Sequence, residues 1–194
     1  MANINHKPSK FMLNLLHVLP AFVQGETEKV NTIVENLKGS INKYELITES
    51  GQLKLDRVGY SSLLFPFTYG AIPSTWDEDN DPLDIEIVNV TEPLERGCLV
   101  EARVIGVMKV EDGGEIDDKI IAVLADDKRC EHIKSIEDLG EHFIKETTYF
   151  WEHYKDLKKP GTMKIKGVFD KSEAIKIITE CEERYKKDYL NKFE

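Results

Sequence analysis

The chain has 194 residues, 41% hydrophobic and 32% charged, with a formal net charge of −10 at pH 7. That length suits one domain with a substantial core, and the composition is that of a globular protein, neither disordered nor fibrous. The negative charge argues against nucleic acid or an anionic membrane as partner, since either calls for a basic surface, and no run approaches the ~18 apolar residues of a membrane-spanning helix.

Taken in chain order, "KFMLNLLHVLPAFVQ" has the cation and apolar stretch of a secretory signal. Asn14, His17 and Pro20 interrupt it and the cleavage-site pattern is poor, so residues 1–30 are expected to be an N-terminal arm packed on the domain or on a neighbouring subunit. "VNTIVENL" reads as a short strand, "KGSINKYELI" as a turn feeding another, and "GQLKLDRV" as an alternating strand behind a glycine. "TWDEDNDPLDIEIV" carries an acidic run straight into the strand-like "IEIV". "CLVEARVIGVMKV" is a long period-two segment, with Val100, Ala102, Val104, Met108 and Val110 expected on one side. "DKIIAVLAD" suits a buried strand, and "TMKIKGVF" alternates again.

Two segments carry a helical period. "SIEDLGEHFIKETTYFWEHYKDL" opens on a capping box from Ser135 and Asp138, with Ile136, Leu139, Phe143, Tyr149, Phe150 and Tyr154 as its apolar stripe. "SEAIKIITECEERYKKDYL" places Ala174, Ile177, Ile178, Cys181 and Tyr185 on one face. Both stripes read as core. Short strands joined by Gly- and Pro-containing turns and accompanied by two helices make an α+β protein built on a closed or nearly closed barrel. Cys98, Cys130 and Cys181 are odd in number and widely spaced, which fits reduced thiols better than a disulfide framework or a zinc site.

The acidic run poses a physical question, because six of the ten residues from Asp77 to Glu86 are acidic. Two unit charges about 4 Å apart repel by roughly 4 kcal/mol near a protein surface. Asp77, Asp79 and Asp81 match the first ligands of a calcium EF-hand loop, but the sixth position is Pro82 instead of Gly and the twelfth is Val88 instead of Glu. The pattern is instead a rigid turn at the mouth of a strand. In an extended segment Asp84 and Glu86 point to one face, with Asp81 brought close by the turn. A second cluster, "EDGGEIDDKIIAV", sets Glu111, Asp112, Glu115, Asp117 and Asp118 before another buried strand. Taken alone, either cluster could be a solvated acidic turn. Two clusters abutting strands can also meet at one open end of a barrel, and oxygen-only ligands suit Mg²⁺ or Mn²⁺, not zinc. The histidines show no metal-ligand spacing, and His142 and His153 read as surface or core residues.

Cations and phenols accompany the acids: Lys38, Lys43 and Glu45 in "KGSINKYE", Arg57 in "LDRV", and Tyr154 and Lys155 in "HYKDLKK". Phosphate recognition needs such point charges and forked donors, although singly each is most often a solvated surface residue. "KGSINK" lacks the G-x-x-x-x-G-K-[ST] of a nucleotide P-loop.

"DNDPLD" resembles the D-x-D-P-x-D signature of the family I soluble inorganic pyrophosphatases. "E…KGSINKYE", "LDRV", "FPFTYGAIP", "DGGEIDDKIIAV" and "HYKDL" fall in that family's order and approximate spacing, from Glu35 to about Leu157. The resemblance implies a five-stranded, OB-like closed β-barrel flanked by two main α-helices, with residues 31–194 as one domain. It implies hydrolysis of pyrophosphate to two phosphates by a metal-activated water, with several Mg²⁺ ions per active site and Mn²⁺ as a substitute. Asp79, Asp84 and Asp117 would then hold two activating metals. Asp112 would join Asp117 around metal arriving with substrate, with Glu35 and Glu45 lining the same cavity. Asp81 takes the general-base position, and Lys43, Arg57, Tyr69, Lys119, Tyr154 and Lys155 take the phosphate-binding positions. Without metal, mutual repulsion should raise the pKa of one or more of these acids. The chain is similar to the shorter, bacterial-type members, which implies a cytoplasmic homo-oligomer, a hexamer. Phe65 departs from the family pattern, since many members carry Tyr before the Pro of the "P-x-x-Y-G" block, so Tyr69 is expected to carry more of the work.

Two rival readings use the same residues. A non-catalytic acidic metal- or calcium-binding module leaves Lys43, Arg57, Lys119 and Lys155 without a purpose. An OB-type oligonucleotide-binding protein is weakened by the charge of −10 and by the lack of a basic–aromatic stripe.

Overall fold

Strands built from alternating and continuous apolar segments form the frame of the computed structural model, which describes residues 13–189. The chain runs through a one-turn helix α1 (Leu15–Val18), strand β1 (Lys29–Asn36) and the hairpin of β2 (Asn42–Leu46) and β3 (Leu53–Val58). Strands β4 (Thr68–Ala71) and β5 (Asp84–Val88) flank the acidic turn. The long β6 (Leu99–Asp112), the short β7 (Glu115–Ile116) and β8 (Lys119–Leu124) follow. Helix α2 (Gly140–His153), β9 (Met163–Asp170) and helix α3 (Lys171–Arg184) complete the order.

Strands β1, β4, β5, β8 and β6 pair in that order, and β6 pairs back to β1, so five strands close into a barrel. It is mixed, because β5 and β8 run parallel while the other pairs of the ring are antiparallel. A fourteen-residue β6 makes closure possible: its first part pairs β1, its middle pairs β8 and its far end pairs β9. Gly70 on β4 permits the β1 contact, since a Cβ there would lie 2.2 Å from the Ile33 carbonyl oxygen.

The strands are buried on both faces. One face, with Ile85, Ile87, Val104 and Ile120, packs under Ala174, Ile178 and Cys181 of α3. The other, with Tyr69, Val88, Ile121 and Val123, packs under Phe150 and Trp151 of α2. The expected single-sided set on β6 is corrected here. The register slips between Val104 and Gly106, so Ala102 and Val104 join the α3 side while Met108 and Val110 join the α2 side. A β-bulge reverses the phase of everything beyond it.

Ser135 and Asp138 do form the capping box, the Ser135 N–H donating to Asp138 Oδ2 at 3.0 Å, but it caps a short 3₁₀ turn over Ile136–Leu139. Helix α2 starts afterwards at Gly140, and its buried residues are Thr147, Phe150 and Trp151. Tyr149 is 56% exposed, so it leaves the predicted apolar stripe. The expected C-terminal face of Ala174, Ile177, Ile178, Cys181 and Tyr185 is buried, while Leu190, which ends that segment, lies outside the described residues. The first part of the arm, through residue 12, also lies outside them. From residue 13 onward, Leu16 of α1 packs with Ile33, Leu46 and Ala71. Among the described residues no helix is long and apolar enough to cross a membrane.

Candidate active site

The barrel brings the acidic turn, the β2–β3 hairpin and the end of α2 around one cavity of about 200 Å³. All thirteen side chains selected from the sequence line it, seven of them carboxylates and four of them lysine or arginine. Strand geometry explains the convergence. The parallel register sets Asp84 beside Lys119, and the hairpin register sets Lys43 beside Arg57. Opposed residues on paired strands share a face, so each pair points the same way.

Lys119 occupies the floor and is 1% exposed. Its Nζ donates to Asp84 Oδ2 at 2.5 Å and also to Asp117 Oδ1. Burial pulls the lysine pKa down, but Asp117 and Asp84 more than offset it and hold the ammonium above its ordinary range. Lys155 donates to Asp112 Oδ2, and Lys43 donates to Glu45 Oε1 at 2.5 Å. Arg57 Nε donates to the Tyr154 hydroxyl at 3.1 Å, with the guanidinium 5.6 Å from that ring's centre. Tyr69 is buried at 1% exposure, and its hydroxyl pKa is pushed well above 10, first by desolvation and then by Asp84 and Asp117.

The acids divide into two groups. Asp84, Asp112, Asp117 and Glu45 each hold a lysine, whereas among the described residues Glu35, Asp79 and Asp81 have no ion-pair partner. Desolvation, followed by the neighbouring Asp84 charge, raises Glu35 and Asp79 to about 8 and Asp81 to about 7. The raised values agree with expectation, but loss of water is the larger cause and repulsion the second. Glu35 is held in place by the Leu46 N–H, which donates to its Oε1 at 2.8 Å. The turn carrying Asp79 and Asp81 is closed by the Asp77 N–H, which donates to the Asp81 carbonyl at 2.8 Å, and by Asn80 at φ 66°.

These residues fit a hard divalent cation. The donors are all oxygen, and three of the acids have no ion-pair partner among the described residues. Among the described residues no three His, Cys, Asp or Glu side chains already converge as a ligand set. Lys119 stands between Asp84 and Asp117 and donates to both.

Sequence reasoning missed three participants. Glu86 is placed on the Asp84 face by the sequence but given no part, and Trp151 belongs neither to the expected apolar stripe nor to the expected site; the Trp151 indole N–H donates to Glu86 Oε1 at 2.5 Å. Arg184 reaches the acidic turn from α3, its Nη1 lying 3.3 Å from Asp77 Oδ1. Residues 65 and 107 positions apart join in these contacts, a distance over which periodicity carries no signal.

The family model described as inorganic pyrophosphatase matches residues 32–186. An inorganic pyrophosphatase of Geobacillus stearothermophilus is 43% identical over 161 residues, covering 82% of this chain and 96% of the relative. One from Neisseria meningitidis is 44% identical over 159 residues, covering 81% and 89%. The crystal structure of inorganic pyrophosphatase from Thermus thermophilus superposes with a TM-score of 0.82 at 40% identity, covering 90% of this chain and 99% of that one. The chain belongs to the inorganic pyrophosphatase family.

Proposed function

We propose that the chain hydrolyses pyrophosphate as a Mg²⁺-dependent enzyme, with the thirteen cavity side chains as its working parts. Splitting the phosphoanhydride into two phosphates is the hydrolase activity of its family. The observation that carries the finer reading is the gathering of seven carboxylates and four cations around one cavity, three of the acids having no ion-pair partner among the described residues. A non-catalytic acidic module has no use for the cations, and a nucleic-acid surface has none for the acids.

Asp79, Asp84, Asp112 and Asp117, with Glu35 and Glu45 beside them, would hold the metal. A divalent ion there supplies Lewis-acid charge and acidifies a water toward neutral pH. The protein's own share is positioning and electrostatics, as in phosphoryl transfer generally. Lys43, Arg57, Lys119 and Lys155 neutralise phosphoryl oxygens, and the Tyr69 and Tyr154 hydroxyls donate to them. As water attacks one phosphorus, the bond from that phosphorus to the bridging oxygen breaks and an Asp81 carboxylate oxygen accepts the water's proton. That proton is then lost to solvent or to the departing phosphate.

We assign residues 31–194 to the catalytic domain and residues 1–30 to the arm. The three free cysteines suit a reducing, cytoplasmic setting. A homohexamer is the assembly implied by the bacterial-type resemblance, and apolar side chains as exposed as Leu157, at 75%, offer surface for it. Light scattering on the purified chain measures that state directly.

The deciding experiment is phosphate release from pyrophosphate with excess Mg²⁺ and again with EDTA, for wild type and Asp81→Asn. Release that EDTA abolishes and Asp81→Asn nearly abolishes is expected. A folded protein with no Mg²⁺-dependent release refutes the assignment, and an active Asp81→Asn removes Asp81 from the base role.

A further inference from the structure

Glu86 is an acid buried in the barrel for which the chemistry above has no use. It is 0% exposed on β5, two residues beyond Asp84 and on the same side of the strand. Its neighbours across the sheet are Tyr69 on β4 and Ile121 on β8. An aliphatic side chain would fill this place as Ile85 and Ile87 fill theirs, with no polar group to satisfy. Glu86 Oε1 accepts the Trp151 indole N–H at 2.5 Å, while Oε2 is buried without a hydrogen-bond partner among the described residues. A buried polar atom left unmatched is costly enough to call for a reason.

The reason lies on the other side of the indole. Lys119 Nζ sits 5.3 Å from the Trp151 ring and 5.7 Å from the Tyr69 ring. The two rings themselves are 5.5 Å apart. Asp84 and Asp117 fix the ammonium from one side, and the aromatic faces support it from the other by cation–π attraction. The indole supports it only in the orientation that its N–H bond selects. Fixing that bond fixes the ring plane, and the ring plane fixes where the ammonium rests.

We infer that Glu86 is a positioning residue for Lys119, acting through the Trp151 indole that it holds beneath the ammonium. The inference rests on the proposed role of Lys119 as a phosphate-binding group. It extends the substrate site by a buried acid that is not part of the cavity lining.

The test is the KM and kcat for pyrophosphate, with Mg²⁺, of Glu86→Leu, Glu86→Gln, Trp151→Phe, Lys119→Met and the Glu86→Leu/Lys119→Met double variant. Misplacing a binding group should raise KM by about tenfold in Glu86→Leu and Trp151→Phe, with kcat less affected. Glu86→Gln keeps an oxygen acceptor for the indole and should stay within about twofold of wild type. Adding Glu86→Leu to Lys119→Met should change KM by less than about twofold, because the route through Lys119 is already gone. Full additivity in the double variant, or a Glu86→Gln as impaired as Glu86→Leu, overturns the inference. Should Glu86→Leu not fold, Trp151→Phe and Glu86→Gln decide it by the same criteria. Lys119→Met with unchanged KM would sink the phosphate-binding role itself and the inference with it. A raised KM in Lys119→Met beside unaffected Glu86→Leu and Trp151→Phe defeats only the inference.

Discussion

Arg184 and Asp77 join the end of α3 to the acidic turn: Nη1 lies 3.3 Å from Asp77 Oδ1 and donates to the Trp76 carbonyl at 2.9 Å, while Nη2 reaches Glu78 Oε1 at 3.3 Å. Asp77 in turn closes the turn through its N–H bond to the Asp81 carbonyl. A helix outside the cavity therefore holds the backbone that presents Asp79 and Asp81. Arg184→Met removes these charge-assisted bonds and should destabilise the fold by about 1–2 kcal/mol. Faster amide exchange over residues 76–81 and a higher Mg²⁺ requirement for turnover should accompany it. Exchange and Mg²⁺ dependence equal to wild type would show that the turn holds itself.

The charge balance of the cavity makes the ion-free protein sensitive to pH, and Glu35 shares the effect with Asp79 and the buried Glu86, which desolvation also raises to about 8. Glu35 is only 5% exposed, whereas Asp81 faces solvent. With its folded pKa raised to about 8, Glu35 favours the folded state when protonated. That contribution is complete below the ordinary glutamate value of about 4.3 and is lost as pH rises through about 8. In EDTA, the urea midpoint should therefore fall between pH 5.5 and 8.5, and Mg²⁺ should restore it at the upper end. Glu35→Gln, which cannot ionise, should make the EDTA profile less steep, leaving the share of Asp79 and Glu86. A profile that stays equally steep in Glu35→Gln would place the titration elsewhere.

Much of this arrangement is legible in the sequence, and the illegible parts have physical causes. β1, β6 and β8 announce themselves by alternation or by continuous apolar runs, and α3 by its 3.6 period. β4 does not, because "TYGA" is four residues long and contains a glycine. The glycine is required by the close approach of β1, which no local pattern encodes. The reversal of β6 at Ile105 is a bulge, and an alternating sequence reads the same with or without one. At the site, the residue types and their order point to the cavity before any coordinate does. The contacts of Glu86 with Trp151 and of Asp77 with Arg184 depend on register and helix placement, which only the folded chain supplies.

Phe65 occupies a packed aromatic cluster, 2% exposed, with ring centres 5.9 Å from Tyr69, 5.8 Å from Tyr154 and 5.2 Å from Phe150. It backs two proposed phosphate-binding phenols without a donor of its own. Phe65→Tyr inserts a hydroxyl into this cluster and should cost about 1–3 kcal/mol of stability through overpacking. Turnover should stay within about tenfold of wild type, because Tyr69 and Tyr154 keep their hydroxyls. A larger change in turnover at unchanged urea midpoint would reveal that position 65 reaches the substrate.

Gly70 supplies the sharpest steric test of how the barrel closes. Its φ is not in the left-handed region, so the requirement for glycine is one of space: an added Cβ would lie 2.2 Å from the Ile33 carbonyl oxygen and 3.2 Å from Val34 Cα. Both contacts are backbone on β1, so no side-chain rotation relieves them. Gly70→Ala must push β4 away from β1, carrying Tyr69 away from Glu35, and should cost about 3 kcal/mol or more with a matching loss of turnover. Gly25 provides the comparison, because it sits at φ 81° with nothing within 4 Å of its Cβ position. Gly25→Ala should cost only the conformational penalty of about 1–2 kcal/mol and leave turnover intact. Urea unfolding of the two variants separates crowding from backbone conformation. Equal losses in both would mean that β1 and β4 have slack and that barrel closure does not depend on a bare backbone at residue 70.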